Sequence, residues 1–328
     1  MGGHLSFPRV TLPKERVVIV TGANTGIGYE TAKWIAMMGA TVILACRSED
    51  RAREAMARMN AEFEAEKDRK TPGVVDYPEL NIEFMKLDCA SLQSVMDFVK
   101  EFKLSGRQLH VLVCNAGIGL HKQAYTEEGY ELMFQVNYLS QYLLTAHLLP
   151  IMKTSGEDCR IILVSSEAHR YSELNLDRIQ GKQFNEQNFG RILYYGNSKA
   201  FQIMQMFSMN RRLKTSNVTV TSLHPGMVET EVSRNFKDMK TFSVLTSLTK
   251  MVGQMKTPFE GAETTINAAV NPELKGVRDV YYINCKPASI NSRVTNIQNQ
   301  ETLWTYTQQC LTKGAFLPDD IIKCLEGE

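Results

Sequence analysis

The chain has 328 residues, of which 43% are hydrophobic and 22% are charged, and its formal net charge is +1. This composition is typical of a globular protein with a sizeable core, and the charge balance argues against nucleic acid or an anionic membrane as a partner. The seven cysteines are odd in number and never in C-x-x-C spacing, so we expect free thiols, no disulfide framework and no metal site.

Residues 1–15 are expected to form an N-terminal arm. They lack an apolar core, so we do not expect a secretory signal there. No apolar run reaches the roughly 18–20 residues of a transmembrane helix. The start Met1-Gly2-Gly3-His4-Leu5-Ser6 fits the N-myristoylation pattern, although a flexible start to the chain is the favoured interpretation. We therefore expect a cytoplasmic protein, held weakly on a membrane or lipid droplet only if Gly2 is acylated.

Short apolar runs alternate with amphipathic stretches, which predicts strands alternating with helices. Strands are predicted at 16–21, 41–45, 81–87, 109–114, 160–165, 218–223 and 280–283. Helices are predicted after Gly28 to about Met38, over 48–67, after Ser91, after Thr126 to about Met152, around Tyr195 and over 259–270. The polar, Pro- and Gly-interrupted run 68–80 predicts a surface insertion. This alternation predicts an α/β fold, a single Rossmann-type doubly wound parallel sheet with helices on both faces, in one domain spanning 1–328.

A glycine-rich turn follows the first predicted strand and reads Thr21-Gly22-Ala23-Asn24-Thr25-Gly26-Ile27-Gly28. Glycines between a strand and a helix let the backbone approach a pyrophosphate, whose charge is favoured at the helix N-terminus. The spacing is G-x-x-x-G-x-G rather than G-x-G-x-x-G, and a purely structural turn is the alternative.

Arg47 stands at the tip of the second strand, where an acidic residue would bind a ribose 2′-hydroxyl and select NAD. A guanidinium suits a 2′-phosphate instead, so NADP(H) is favoured over NAD(H) unless Arg47 pairs with Glu49, Asp50 or Glu54. Asp88, after the third strand, is suited either to accept from an adenine amino group or to cap a helix.

Small and hydroxyl-bearing residues follow the next three strands. Asn115-Ala116-Gly117 permits close backbone approach to a ligand, or makes a tight turn. Ser165-Ser166 places hydroxyls at a strand tip, where one can donate to a substrate carbonyl. After the sixth strand the chain is re-aimed by Pro and Gly, and its freed backbone groups could hold a carboxamide, at Pro225, Gly226, Val228 and Thr230.

Tyr195 and Lys199 are four residues apart in a predicted helix and therefore share a face, with Cβ atoms about 5–6 Å apart. A nearby ammonium stabilises a phenolate and moves the tyrosine pKa toward the working range. Taken alone the pattern is short, and an ordinary Tyr and Lys on a helix surface is then the favoured interpretation. Asn137 is polar in an apolar stretch, as either a buried network member or a catalytic relay.

In their order and at matching strand ends, these motifs resemble the short-chain dehydrogenase/reductase family over nearly the whole chain. Its cofactor motif T-G-x-x-x-G-x-G is matched by Thr21, Gly22, Gly26 and Gly28. Its N-A-G signature is matched by Asn115, Ala116 and Gly117, with Cys114 in place of a common Asn. Its catalytic Asn-Ser-Tyr-Lys tetrad carries over to Asn137, Ser166, Tyr195 and Lys199.

The resemblance implies hydride transfer between nicotinamide C4 and a carbonyl or alcohol carbon. Tyr195 would pass the proton, Lys199 would lower its pKa and hold the ribose, and Ser166 would bond the substrate oxygen. Asn137 would hold a water that links Lys199 to solvent. The residues assigned to the cofactor are Gly22, Asn24, Thr25, Gly26, Ile27, Gly28, Arg47, Asp88, Asn115, Ala116, Gly117, Tyr195, Lys199, Pro225, Gly226, Val228 and Thr230.

The separation of 29 positions between Ser166 and Tyr195, with Arg47 and the run 282–286, resembles the retinol dehydrogenase and WW-domain oxidoreductase branch. The expected substrate loop, 227–255, is rich in methionine and apolar residues, which adapt to apolar ligands unless they pack on the sheet. We therefore expect a lipophilic retinoid, steroid or fatty aldehyde substrate, with 167–194 as a pocket wall. A non-catalytic dinucleotide-binding scaffold or redox sensor is the alternative function. The resemblance also implies a possible homodimer, because members of the family often pair through the helices that carry Asn137 and Tyr195.

Overall fold

The structure, a computed structural model, describes residues 6–228 and 255–328. Gly2, Thr230 and most of the expected substrate loop therefore lie outside the described residues. The strands are β1 Val17–Thr21, β2 Thr41–Cys46, β3 Ile82–Lys86, β4 Val111–Cys114, β5 Cys159–Val164, β6 Val218–His224, β7 Tyr281–Ile283 and β8 Lys286–Pro287. The helices are α1 Gly26–Met37, α2 Glu49–Asp68, α3 Leu92–Leu104, α4 Leu132–Phe134, α5 Ser140–Thr154, α6 Arg191–Arg212, α7 Pro258–Val270, α8 Ser292–Thr295, α9 Ile297–Lys313 and α10 Asp319–Glu326.

The described strands form one sheet in the order β3-β2-β1-β4-β5-β6-β7-β8. Neighbours are parallel from β3 to β7, and only the short β8 runs antiparallel to β7. The order reverses between β1 and β4, so the crevice in which such sheets bind ligands lies at the carboxyl ends of these two strands. The predicted doubly wound parallel sheet is confirmed.

The central strands β1, β4 and β5 are buried throughout and almost entirely apolar, because helices cover both faces of the sheet. In β1, Ile19 packs into one core together with residues of α5 and α6. Its neighbours Val18 and Val20 pack into a second core together with residues of α1 and α7. This alternation follows from the period of two in a strand, and it leaves no polar face for sequence pattern to detect.

The segment 68–80 has no helix or strand of its own beyond the last residue of α2, and it is tied to the elements around it. Lys67 donates to the carbonyl of Tyr77 over 2.8 Å. Val75 is buried, and its backbone N–H donates to the carbonyl of Met37 over 2.9 Å. None of the helices within residues 6–228 and 255–328 is long and apolar enough to cross a membrane.

The three helices α8, α9 and α10 close the chain and were not predicted. Helix α9 packs along α6, and α10 packs along α5. The Arg212 guanidinium pairs with Glu301 over 2.6 Å and lies 4.3 Å from the centre of the Trp304 ring. The expected pairing of two copies through α5 and α6 receives no support, because the chain's own C-terminal helices cover both.

Candidate active site

The glycine-rich turn between β1 and α1 has a conformation that requires glycine. Gly22 and Gly26 have φ of +66° and +59°, in the left-handed region that side chains disfavour. A Cβ on Gly28 would lie 2.3 Å from the carbonyl oxygen of Gly22, which no rearrangement of side chains relieves. The turn is therefore folded back on itself, with the start of α1 aimed across the end of β1.

The N-terminus of α1 has no side-chain cap. Thr25 is its N-cap residue but makes no capping hydrogen bond, and the first turn contains no acidic residue. By contrast, α2, α3 and α7 are capped by the side chains of Ser48, Ser91 and Thr257. A helix N-terminus carries partial positive charge, so this uncapped end fits the phosphate groups of a dinucleotide.

Asn115-Ala116-Gly117 is bonded to the glycine-rich turn. The Thr21 hydroxyl accepts from the N–H groups of Asn115 and Ala116 over 3.0 and 2.9 Å, and the Asn115 amide donates to the Thr21 carbonyl over 2.9 Å. A Cβ on Gly117 would lie 3.1 Å from Oδ1 of Asn137 and 3.3 Å from Nζ of Lys199. The small residue thus lets this loop touch the polar side chains behind it.

Arg47 and Asp88 occupy neighbouring strand ends. Arg47 is exposed, and no ion pair of Arg47 is present in the described part of the chain, where Glu49 pairs with Arg53 over 2.6 Å. The Asp88 carboxylate accepts from the N–H of Ala90 over 2.9 Å. It does not cap α3, since Ser91 does, and the helix-cap alternative for Asp88 is therefore wrong.

Tyr195 and Lys199 lie one turn apart on α6, and Nζ of Lys199 is 5.9 Å from the centre of the Tyr195 ring. Nζ donates to the carbonyl of Val164 over 2.9 Å and to Oε1 of Gln202 over 3.4 Å. Burial lowers the pKa of Lys199 to about 8. Burial raises the pKa of Tyr195 above its ordinary value, and a hydrogen bond with Ser166 opposes that rise.

Ser165 and Ser166 turn their hydroxyls in different directions. The buried Ser165 donates to the backbone carbonyl of Lys199 over 2.7 Å and so joins β5 to α6. Ser166 faces Tyr195, and its oxygen also accepts from the N–H of Ala168 over 3.2 Å. Only the second hydroxyl is therefore placed to meet a substrate oxygen together with the phenol.

Asn137 is fully buried in a π-helical turn, Gln135–Leu139, between α4 and α5. Its Oδ1 accepts from the N–H of Ile118 over 2.8 Å, and its amide donates to the Ile118 carbonyl over 3.0 Å and to the Ser198 hydroxyl over 2.9 Å. Ser198 was missed, because its bond with Asn137 follows only from the packing of α6 against the π-helical turn. Gln202 was also missed, although it lies three residues from Lys199 on the same helix.

The chain after β6 comes back to the glycine-rich turn. Gly226 has a φ of +95°, and the N–H of Lys256 donates to the carbonyl of Met227 over 2.8 Å. A Cβ on Gly261 would lie 2.5 Å from the Val228 side chain and 3.3 Å from that of Ile27. Pro225, Gly226 and Val228 are thus at the ends of β6 and α1, as expected, and Thr230 is outside the described residues.

A small apolar cluster packs against Tyr195. Its buried members are Met133, Phe189 and Tyr194, and the partly buried Ile118, Phe184 and Tyr195 pack against them. Gln123 fixes this region by donating to the carbonyls of Gly181 and Phe184, each over 2.9 Å. Part of the predicted pocket wall, 167–194, therefore lies beside the phenol.

Solved structures of low sequence identity share this fold. An uncharacterized protein from Mycobacterium paratuberculosis has a TM-score of 0.70 at 24% identity, covering 92% of this chain and 95% of that one. L-sorbose reductase from Gluconobacter frateurii, in complex with NADPH and L-sorbose, has a TM-score of 0.59 at 19% identity, covering 84% and 95%.

Sequence comparison assigns the family. The family model described as short chain dehydrogenase matches residues 16–176. Human retinol dehydrogenase 14 is 36% identical over 294 residues, covering 89% of this chain and 85% of that protein. The WW domain-containing oxidoreductase of Gallus gallus is 35% identical over 302 residues (90% and 68%), and human polyprenol dehydrogenase is 35% identical over 298 (89% and 83%). The chain therefore belongs to the short-chain dehydrogenase family, in its retinol dehydrogenase branch, and is a dehydrogenase that acts on CH–OH groups.

Proposed function

We propose that the chain is an NADP(H)-dependent oxidoreductase that interconverts a carbonyl and an alcohol on a lipophilic substrate. One observation carries the proposal: the Ser166 hydroxyl faces the partly buried Tyr195, one helical turn from Lys199. Two neighbouring hydroxyls can bind the same substrate oxygen, and a nearby ammonium can shift the pKa of the phenol.

The bound nicotinamide supplies the hydride chemistry, while the residues of this chain hold the substrate and move the proton. Tyr195 gives its phenolic proton to the substrate oxygen in reduction and takes one in oxidation. Since its pKa is raised, Tyr195 is protonated at neutral pH, and the free enzyme is prepared for reduction. Ser166 holds the substrate oxygen against the phenol.

Lys199 and Asn137 assist the proton transfer by Tyr195 without contacting the substrate oxygen. In this proposal Lys199 holds the nicotinamide ribose and lowers the Tyr195 pKa once the cofactor is bound. Both amide hydrogens of Asn137 are used by Ile118 and Ser198, and Oδ1 takes one N–H. An amide oxygen has a second lone pair, which suits it to hold a water next to Lys199.

The preference for NADP(H) rests on Arg47. Its exposed guanidinium follows β2, and the nearest acidic candidate, Glu49, is engaged by Arg53. A guanidinium binds a phosphate through two parallel, charge-assisted hydrogen bonds. The uncapped start of α1 fits the pyrophosphate that NADP(H) and NAD(H) share, so it supports a dinucleotide and leaves the preference to Arg47.

The lipophilic substrate rests on the apolar cluster beside Tyr195. Ile118 and Phe184 are partly buried there, so an apolar chain could cover the surface they leave exposed. Two relatives in this branch are named for lipophilic alcohols, retinol and polyprenol. We also propose that 1–328 forms one domain, whereas a cytoplasmic location and acylation of Gly2 stay predictions.

The test is a turnover screen with NADPH and NADH on retinaldehyde, medium-chain aldehydes and small polar ketones. The proposal expects turnover of the lipophilic carbonyls, faster with NADPH than with NADH. Equal rates on lipophilic and polar carbonyls would contradict the lipophilic site. Tight NADPH binding without turnover of any carbonyl would favour the non-catalytic scaffold.

A further inference from the structure

The π-helical turn that carries Asn137 is bonded to a part of the chain far beyond the residues that the family model matches. The short-chain dehydrogenase model ends at residue 176, whereas α9 begins at Ile297. Tyr138 follows Asn137 in the turn, and its hydroxyl lies 2.7 Å from the hydroxyl of Thr307 in α9. Tyr138 and Thr307 are 1% and 0% exposed, so water cannot replace either partner.

The direction of this hydrogen bond follows from a second contact. The Thr307 hydroxyl donates its single hydrogen to the carbonyl of Leu303 over 2.8 Å. Thr307 therefore accepts, and Tyr138 donates. A buried phenol that lost this acceptor would keep its desolvation cost without compensation. The bond therefore stabilises the arrangement in which the π-helical turn packs against α9.

The same helix also supports the entry to the π-helical turn. The Gln180 side chain accepts from the N–H of Glu131 over 2.7 Å and donates to the hydroxyl of Tyr306 over 3.0 Å. Glu131 in turn caps α4, accepting from the N–H of Phe134 over 2.7 Å. The turn is thus bonded to α9 directly through Tyr138, and the residues that lead into it are bonded to α9 through Gln180.

We propose that Thr307 is a positioning residue for catalysis, which fixes the π-helical turn so that Asn137 stays against Gly117 and Lys199. A π-helical turn is rare and appears mostly as a single turn within an α-helix, frequently at a functional site. Here the contact one residue from Asn137 is the Tyr138–Thr307 bond. The inference rests on the proposed function, in which Asn137 holds a water beside Lys199.

The experiment compares Thr307→Val, Thr307→Ser and Tyr138→Phe, with the exposed Thr305→Val of the same helix as control. Thr307→Val keeps the side-chain shape and removes the acceptor, whereas Thr307→Ser keeps the hydroxyl. Each variant is checked for full folding at the assay temperature by circular dichroism. We measure kcat, KM and the NADPH dissociation constant, together with the side-chain amide resonance of Asn137.

We expect Thr307→Val and Tyr138→Phe each to lower kcat on the order of tenfold, because small displacements of catalytic groups are costly. KM and NADPH affinity should stay within about twofold of wild type, and Thr307→Ser should keep most of the wild-type rate. The double variant Thr307→Val/Tyr138→Phe should have about the same kcat as either single variant, because both remove the same bond. The Asn137 amide resonance should shift in Thr307→Val and not in Thr307→Ser.

A folded Thr307→Val with wild-type kcat and an unshifted Asn137 resonance would overturn the inference, as would equal losses in Thr307→Ser and Thr307→Val. Absence of turnover in the wild-type chain would instead refute the proposed function. In that case the amide resonance still decides whether Thr307 positions Asn137.

Discussion

The hydroxyl of Ser165 donates to the backbone carbonyl of Lys199 over 2.7 Å, which ties the end of β5 to the helix that carries the phenol. The next residue, Ser166, faces Tyr195 instead. Two adjacent serines thus have separable roles, one joining the two elements and one facing the reacting oxygen.

Ser165→Ala and Ser166→Ala should therefore fail in different ways. Ser166→Ala should lower kcat by about 10²-fold or more, as for removal of one oxygen-binding donor. It should also lower the free energy of unfolding by about 1 kcal/mol, because the Ser166 oxygen accepts from the N–H of Ala168. Because the Ser166 bond lowers the Tyr195 pKa, its removal should raise that pKa and move the rise of the oxidation rate with pH to higher pH. Ser165→Ala should lower the free energy of unfolding by about 1 kcal/mol and keep most of kcat. Rates measured as a function of pH give the effects on kcat and on the Tyr195 pKa, and urea unfolding gives the effect on stability. A larger loss of kcat in Ser165→Ala than in Ser166→Ala would exchange the two assignments.

Tyr195→Phe should remove turnover and keep cofactor affinity. The phenol is the group proposed to move the proton, so kcat should fall about 10²–10⁴-fold. Tyr194→Phe is the matched control, since its hydroxyl donates to the carbonyl of Arg178 over 2.5 Å. Stopped assays and nicotinamide fluorescence titration measure the two quantities. Loss of NADPH binding in Tyr195→Phe would mean that the phenol acts on the cofactor rather than on the substrate.

Arg47→Ala should weaken NADPH binding at least about tenfold and leave NADH binding nearly unchanged, because only NADPH has the phosphate for the guanidinium. Arg53→Ala removes a nearby cation that is already paired with Glu49, and it should change neither affinity much. Titration of both cofactors against both variants gives the comparison. An unchanged preference in Arg47→Ala would place the 2′-phosphate elsewhere.

Phe184→Ala should impair lipophilic substrates selectively. Phe184 packs beside Tyr195, and covering an aromatic side chain contributes about 1.5–3 kcal/mol, or roughly tenfold or more in kcat/KM. A long-chain aldehyde should show this loss, while a small ketone should change less than about twofold. Phe316 packs against the core formed with α5 and α6, and Phe316→Ala should affect turnover of both substrates alike. Equal losses in Phe184→Ala would argue against a lipophilic pocket there.

The sheet and its strand-end motifs could be predicted because buried parallel strands are apolar runs, and because glycine at Gly22 and Gly26 serves a local backbone need. The site's inner contacts could not. Adjacent residues in extended chain point in opposite directions, but which of Ser165 and Ser166 faces Tyr195 depends on where α6 docks. The π-helical turn around Asn137 depends on α9. Helix α9 itself was missed, since its polar residues hide a buried stripe of Leu303, Thr307 and Leu311 that only α6 explains.

Lys199 gives the chain a pH-dependent stability. Burial holds its pKa at about 8, below the ordinary value of 10.5, so the folded state disfavours the ammonium. Between pH 8 and 10.5 the unfolded chain binds more protons than the folded one, and this residue's contribution to stability therefore rises with pH. Below pH 8 its cost is fully present, about 3 kcal/mol.

Lys199→Met should accordingly gain stability relative to wild type at pH 7, and the advantage should shrink by about 3 kcal/mol as pH rises through 8 to 10.5. Other titrating groups are common to both proteins and cancel in the difference. Urea unfolding at several pH values measures it, with the exposed Lys214→Met as a control for loss of a surface charge. A difference that stayed constant across the window would mean that Lys199 is charged in the fold up to its ordinary pKa, held by Val164 and Gln202 more strongly than burial opposes it.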